Sequence, residues 1–578
     1  MYVGLWKFSP IQTACLLGFV SFLGAGGLYL RRPAPTPKSS VSPWFKDVTE
    51  QVNLEFQRVP DLDPPYFMPS AMGAGSALFD YDNDGRLDIY LLQDGENDAK
   101  ATNGLFHQEP DGRFTDVTSG SGLGITGGGM GVAVGDVNND GLPDVLVCGY
   151  HNVRLFLNRG QGKFRDITQQ VGIKNPYWAT SAAFFDYDRD GRLDLVIVNY
   201  VDYVDKVCPD AAGRDDYCGP ASFAGTASQL YHNISDLPKG SKNVRFTDVS
   251  LASGIGRVTG PGLGVTALDF DGDNWQDIFI TQDAQSNRLW LNQHNGTFKD
   301  EALIRGIAVN SAGQPQANMG IALADLNASG LPSVYVTHLT EESNTLWMPG
   351  VPGIFEDRTT QTGLLTARRG TGFGTVMSDF NNDGFPDLAL VNGRVQRTST
   401  SSSLTTSADI GTHWSPYAET NQLFAGIRGG KFREITMNNV PFCGTPNIGR
   451  GLACGDIWND GGMALLSTPL VGPARLYRDK VAGMGHWLEV RAIDPRQGGR
   501  DAYGTRITLK AGGRQQTSWI NPAYSMGNSN DPRAHFGLGS TNRVDKLEVF
   551  WPDGKRETFS GIPTNRIVTL QRGKGHPQ

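Results

Sequence analysis

DYDNDGRLD, residues 80–88, places carboxylates at positions 1, 3, 5 and 9 of a nine-residue frame (Asp80, Asp82, Asp84 and Asp88) with Gly85 at position 6. The frame recurs as DVNNDGLPD from Asp136, DYDRDGRLD from Asp186, DFDGDNWQD from Asp269 and DFNNDGFPD from Asp379. Two further copies are worn: DLNASGLPS from Asp325 and DIWNDGGMA from Asp456. The seven starts lie 56, 50, 83, 56, 54 and 77 residues apart, so a unit of 50 to 56 residues is lengthened twice by insertions. That period suits a propeller blade.

Two other signals are counted seven times. A leucine–aromatic pair opens a strand at Leu105, Leu155, Leu230, Leu289, Leu346, Leu423 and Leu476, and F-x-[DE] heads another at Phe45, Phe114, Phe164, Phe246, Phe298, Phe355 and Phe432. The second series is out of phase: its first member precedes the first carboxylate loop, and nothing follows Leu476-Tyr477. A ring without free sheet edges needs one blade built from both termini, which this offset supplies. The expected fold is all-β: a seven-bladed β-propeller over residues 44–480 closed by the N-terminal strand. A small antiparallel β-domain follows over 481–573, where LEVRAI, TRITLKA, KLEVFW and RIVTLQ alternate apolar and polar residues. Residues 574–578 are a tail.

Acidic side chains at this spacing wrap oxygen ligands around one hard cation, with glycine at the sharp turn and the carbonyl of position 7 as a further donor. Calcium fits best, since magnesium keeps several waters. The expected ligands are Asp80, Asp82, Asp84, Arg86 and Asp88; Asp136, Asn138, Asp140, Leu142 and Asp144; Asp186, Asp188, Asp190, Arg192 and Asp194; Asp269, Asp271, Asp273, Trp275 and Asp277; and Asp379, Asn381, Asp383, Phe385 and Asp387. Asn274 replaces the glycine of the fourth loop and tolerates the left-handed conformation. The worn copies, with Ser329 and Ser333 or with Trp458 and Ala464 in ligand positions, are expected to bind weakly or not at all. About four or five structural calcium ions follow, each holding a hairpin rather than performing chemistry.

The loop pattern resembles the FG-GAP/VCBS repeats of the integrin α-chain propeller, which implies calcium-stapled blades and binding of protein or carbohydrate. DAYGTRITLKAGG (501–513), NSNDPRAHFGLG (528–539) and VDKLEVFWPDGKRET (544–558) resemble the ASPIC/UnbV domain. The pairing is similar to that of the cartilage acidic protein family and its bacterial relatives; it implies a fold more than an activity. His535 reads as a structural histidine bonded to backbone.

Glycine (73 of 578 residues) with the 39% hydrophobic fraction describes a chain that builds packed cores. A net charge of -8 offers no field for nucleic acid. Residues 14–30 are nearly all apolar and read as an export signal or uncleaved membrane anchor within 1–32, joined to the body by a proline-rich linker at 33–43. The flanking charges, with Arg31, Arg32 and Lys38 after the segment, would put the body inside. Two local cysteine pairs, Cys208 with Cys218 and Cys443 with Cys454, read as disulfides and outweigh that, placing the body in an oxidising space at the cell surface or in the periplasm. Cys15 and Cys148 belong to no motif.

The insertions, 201–228 in the third blade and 394–421 in the sixth, share one phase, so both leave the face opposite the carboxylate loops. The first is stapled; the second reads as mobile. That face is the expected binding face for an extracellular protein or glycan, with the membrane engaged only through the anchor. The alternative is a hydrolase or cyclase using Asp94, His151, Asp283, His338 or His413 there; no HExxH, G-x-S-x-G or P-loop motif accompanies them.

Overall fold

Each carboxylate loop is the tip of a β-hairpin. The strand before it is small and apolar, as in Gly129–Gly135 (GMGVAVG), and the strand after it carries a continuous apolar run, as in Asp194–Asn199 (DLVIVN); both are buried along their whole length. Burial on both faces is what blades stacked side by side demand of their inner strands. The computed structural model describes residues 42–60, 65–73, 75–94, 101–236, 243–351, 353–397 and 410–578, of which Ser42–Gln578 is one compact unit. The expected anchor, 1–32, and residues 33–41 of the linker lie outside the described residues. Among the described residues no helix is long and apolar enough to cross a membrane.

Seven four-stranded antiparallel sheets follow one another. Their innermost strands, Ser76–Phe79, Gly129–Gly135, Ala179–Phe185, Gly262–Leu268, Ile321–Ala324, Gly372–Ser378 and Gly449–Gly455, touch in cyclic order, and the last also touches the first. Phe45–Asp47 pairs with Arg475–Asp479 and is the outer strand of the seventh blade. The approach of inner strands is close: a Cβ on Gly131 would sit 2.3 Å from the carbonyl oxygen of Thr180 in the next blade. The outer-strand motif has a local cause. In six blades a hydroxyl just beyond F-x-[DE] (Thr49, Thr118, Thr168, Ser250, Thr359, Thr436) accepts the N–H of the leucine in the leucine–aromatic pair, closing the third strand onto the fourth.

The C-terminal domain has two sheets. One holds His486–Asp494, Arg500–Asp501 and Ala534–Gly539; the other runs Arg514–Trp519, Arg506–Ala511, Lys546–Phe550, Arg556–Phe559, His576–Pro577. The expectation of a purely antiparallel domain is corrected at one pair: Ile567–Gln571 runs parallel to His486–Asp494, because the chain crosses from the second sheet to the first after Phe559.

Between these strands, residues 521–531 leave the domain and run along the axis of the ring, bonding to the innermost strand of every blade. Leu78 N–H donates to Ser529 O (2.9 Å) and Val132 N–H to Gly527 O (3.0 Å). Gly527 N–H donates to Ser181 Oγ (3.2 Å), Asn521 Nδ2 to Thr266 Oγ1 (3.0 Å), and Thr375 N–H to Ser525 Oγ (3.1 Å). Ser525 and Ile321 exchange both backbone bonds, and Cys454 N–H donates to Asn530 Oδ1 (3.0 Å). Met526 packs with Met72, Trp178, Tyr200 and Phe373. The propeller is therefore plugged by its own C-terminal domain.

Cys208 and Cys218 form a disulfide. The second expected disulfide is absent: Cys443 and Cys454 are buried free thiols. Cys443 ends a short helix, Val440–Cys443, while Cys454 lies in an innermost strand, so proximity in sequence does not bring the sulfurs together.

Candidate metal centres

The carboxylates at positions 1, 3 and 5 converge as the spacing requires. In the first, third and fourth loops one oxygen from each of Asp80, Asp82 and Asp84, of Asp186, Asp188 and Asp190, and of Asp269, Asp271 and Asp273 lies within 4.8 Å of the others. The loops at Asp136 and Asp379 have the same conformation with Asn138 and Asn381 at position 3. The position-1 carboxylate accepts the N–H groups of positions 5 and 6, as Asp186 does from Asp190 (3.1 Å) and Gly191 (3.0 Å), except in the fourth loop, where Asp269 accepts from Gly272 and Asn274. The position-5 carboxylate accepts the position-7 N–H in all five good loops, from Arg86, Leu142, Arg192, Trp275 and Phe385. An all-oxygen donor set fixed by its own backbone fits a hard divalent cation.

Position 9 does more than the sequence indicates. Asp88, Asp144, Asp194, Asp277 and Asp387 are fully buried, and each accepts the N–H of loop position 2 on one oxygen and a third-strand N–H on the other. The carboxylate thus stitches three strands of its blade together. Ser333 and Ala464 cannot do so in the worn repeats. Burial pushes Asp88 up to about 8, and Asp186 and Asp194 up to about 7. Desolvation that disfavours the anions in this way is offset when a cation sits among them.

Three histidines join these loops without having been singled out by the pattern. His107 and His232 place Nδ1 3.0 Å from Asp88 Oδ1 and Asp194 Oδ1, and His294 Nε2 is 2.6 Å from Asp273 Oδ2. The signal for the first two was LFHQ and LYHN, where the second and fourth blades carry Leu157 and Leu291.

Position 4 was also missed. It adopts positive φ in every loop, and in five of them its side chain bridges blades. Asn83 Nδ2 donates to Gly141 O, Asn139 to Gly191 O, Arg189 Nη2 to Asn274 O, Asn382 to Gly461 O and Asn459 to Gly85 O, at 2.7 to 3.0 Å. This chain of bonds runs round the ring from loop six through loop one to loop four and is broken only at Gly272 and Ala328. The C-terminal domain reads the same asparagines: Arg500 Nε donates to Asn139 Oδ1 (2.8 Å), His535 Nε2 to Asn382 Oδ1 (2.7 Å) and Arg533 Nη1 to Asn459 Oδ1 (2.7 Å). His535 is structural, but its partner is this side chain, and burial pushes it down to about 4. Asn459→Ala removes one bond to the next blade and one to Arg533, and is expected to destabilise the protein by about 2 kcal/mol in denaturant titration. A loss below about 0.5 kcal/mol would show that the ring of bonds contributes nothing.

On the opposite face the two insertions meet. Tyr417 Oη donates to Asp216 Oδ1 (2.6 Å), Arg397 N–H to Asp216 Oδ2 (2.8 Å), and Arg397 Nη2 to Tyr66 Oη (2.6 Å). Tyr217 stacks on Trp414, with centroids 5.9 Å apart. Residues 398–409 of the segment expected to be mobile lie outside the described residues; Gly411–Trp414 and Ser415–Tyr417 are short helices in this cluster. His413 sits among its rings. His338 is buried, its nitrogens 3.2 Å from Ala317 O and 3.0 Å from Thr345 Oγ1. Asp283 accepts from Tyr200 Oη (2.6 Å), His151 stacks edge-on to Tyr150, and Asp94 is buried near Arg58.

Residues 80–147, 136–197 and 269–336 match the FG-GAP-like repeat, and residues 495–577 match the ASPIC and UnbV domain. Cartilage acidic protein 1 of Homo sapiens is 24% identical over 490 residues, covering 74% of this chain and 69% of that protein. The Xenopus tropicalis protein of the same name is 24% identical over 521 residues, covering 85% and 72%. Among solved structures, a lectin of Agrocybe aegerita described as recognising non-reducing terminal N-acetylglucosamine aligns with TM-score 0.34 at 14% identity, over 69% of this chain and 85% of that one. The chain carries FG-GAP-like repeats with a C-terminal ASPIC and UnbV domain, and it is similar to cartilage acidic protein 1 over most of its length.

Proposed function

We propose that the protein is an exported calcium-binding propeller that acts as a binding or adhesion module, with extracellular protein or glycan as its ligand. Calcium at the five good loops supplies positive charge that holds each hairpin and takes no part in a reaction. The observation that carries the binding reading is the meeting of the two insertions. Chain is added at two blades, the added segments lock together through Asp216, Arg397 and Tyr417, and this happens on the face away from the C-terminal domain. Long loops held on a rigid scaffold are where recognition is built. His338 fits a structural role, since burial pushes it down to about 4 and both nitrogens are engaged. Export agrees with the Cys208–Cys218 disulfide.

The test is a screen of the purified body, residues 42–578, against extracellular glycans and cell-surface proteins, repeated with Asp216→Asn combined with Arg397→Ala. The pair is expected to weaken capture of the ligand by at least ~10-fold; because Asp216 is buried and bonds two residues of the other insertion, melting temperature is measured alongside so that a fold defect is recognised. Undiminished capture by the double variant would remove the face from consideration, and turnover of any captured glycan would favour the hydrolase reading.

A further inference from the structure

A cavity of about 640 Å³ lies between the fifth and sixth blades and the C-terminal domain. That size suits a small organic ligand. It sits where the ring of position-4 bonds is broken: Ala328 has no side chain to reach the sixth loop. The fifth loop is also the worn one, with Ser329 and Ser333 in ligand positions, so its position-1 carboxylate serves no full donor set. Asp325 instead bonds to Thr517 of the C-terminal domain and lines the cavity.

The remaining wall offers donors and acceptors side by side. Trp519 is 8% exposed and lines the cavity, and its indole Nε1–H has no hydrogen-bond partner. A buried donor left unpaired costs about 1–3 kcal/mol, which a ligand acceptor would recover. Asn382 gives its amide protons to Gly461 O, so its Oδ1 must accept from His535 Nε2–H, which fixes the imidazole in the wall. Arg514, bonded to Asp383 O and lying over the Phe385 ring, adds a cation to the same lining as Asp325. Tyr524 and Phe536 supply aromatic surface.

We propose that this cavity is a binding site for a neutral polyhydroxylated molecule of the size of one or two sugar units. A hydroxyl both donates and accepts, which matches a wall that carries an indole N–H, a carboxylate and a guanidinium. The wall carries both signs of charge, with Asp325 and Asp379 beside Arg428 and Arg514, so neither sign prevails and a neutral polyhydroxyl ligand can use carboxylate and guanidinium alike. The site is independent of the insertion face, and loss of binding there would leave it untouched.

Saturation-transfer NMR on residues 42–578 at millimolar ligand tests this, with glucose, galactose, N-acetylglucosamine and their disaccharides as probes and inorganic phosphate and putrescine as charged probes. At least one neutral saccharide is expected to receive saturation, and its affinity is expected to fall roughly 10-fold in each of Trp519→Phe and Asp325→Asn, which remove one donor and one charged acceptor while keeping shape. Melting temperatures of both variants are measured alongside so that a fold defect is recognised; where one variant is unfolded, the other carries the comparison. The proposal is overturned by no saturation of any neutral saccharide, by affinities unchanged in both variants, or by tighter binding of phosphate or putrescine.

Discussion

Removing calcium with EGTA is expected to lower the melting temperature of residues 42–578 by roughly 10 °C or more. Each site occupied at about 100 times its dissociation constant adds about 2.7 kcal/mol to the folded state, so four or five sites together reach roughly 10 kcal/mol. Spread over a unit of this size, that corresponds to a shift of the stated order. The loops proposed to hold the ions carry position-1 and position-9 carboxylates bound to the backbone of their own hairpin and of the third strand, so the loss is expected to be felt by whole blades. Elemental analysis should return about four or five calcium ions per chain. An unchanged melting curve in chelator, or a stoichiometric transition metal in the digest, would sink the assignment.

The sign of the pH dependence without calcium follows from the same carboxylates. Asp88 is pushed up to about 8 and Asp186 and Asp194 to about 7, burial being the main cause, while in the unfolded chain they titrate near 3.8. The folded state therefore binds more protons than the unfolded state between those values, and stability falls as pH rises through that interval. Stripped of calcium with EGTA at pH 8 and then exchanged into calcium-free buffer, the protein should melt higher at pH 5 than at pH 8, and added calcium should rescue most at pH 8. Equal melting temperatures at the two pH values would show that these carboxylates are not desolvated in the calcium-free protein.

Much of this was legible in the sequence because repetition converts weak local signals into counts. The seven carboxylate frames, the seven leucine–aromatic pairs and the displaced F-x-[DE] series determine blade number and closure, and the structure realises the first as hairpin tips and the other two as the third and outer strands of the blades. What escaped depends on neighbours distant along the chain. Asn83, Asn139, Asn382 and Asn459 look like ordinary turn asparagines, and a turn asparagine needs no partner on another blade to be common. Cys443 and Cys454 look paired because a short separation permits a bridge, yet one ends a helix and the other lies within an innermost strand. His107 and His232 stand at positions that are apolar in the second and fourth blades, a departure visible only once the repeats are aligned. The segment NPAYSMGNSND, residues 521–531, shows neither strand nor helix periodicity and reads as a loop between two strands. Its role as an axial plug follows from bonds to residues 76 to more than 400 positions away.

That plug carries the second large effect. A propeller cut after residue 480 is expected to melt at least ~10 °C below the intact body, or to be recovered only as aggregate. The inner strands lose the partners of Ser76, Leu78, Val132, Ile321, Thr375 and Cys454 N–H together. Each bond contributes about 0.5–1.5 kcal/mol net, and Met526 would leave a hole beneath Trp178 and Phe373. Water can solvate part of an open axis, so a milder variant separates the plug from the domain as a whole. Asn528→Ala removes two bonds to Ser76, one from its N–H at 2.9 Å and one from its Oγ at 2.8 Å, and Asn530→Ala removes the bond to Cys454. The double variant should lose about 3 kcal/mol in denaturant titration while keeping its calcium, because the axial bonds and the carboxylate loops lie at different points along the inner strands. If the truncated propeller is as stable as the intact chain and the double variant is neutral, the axial segment is a passenger. If both are destabilised and the loops still bind calcium, the ring and its C-terminal domain fold as one cooperative unit, and the ASPIC/UnbV domain serves first to close the propeller that precedes it.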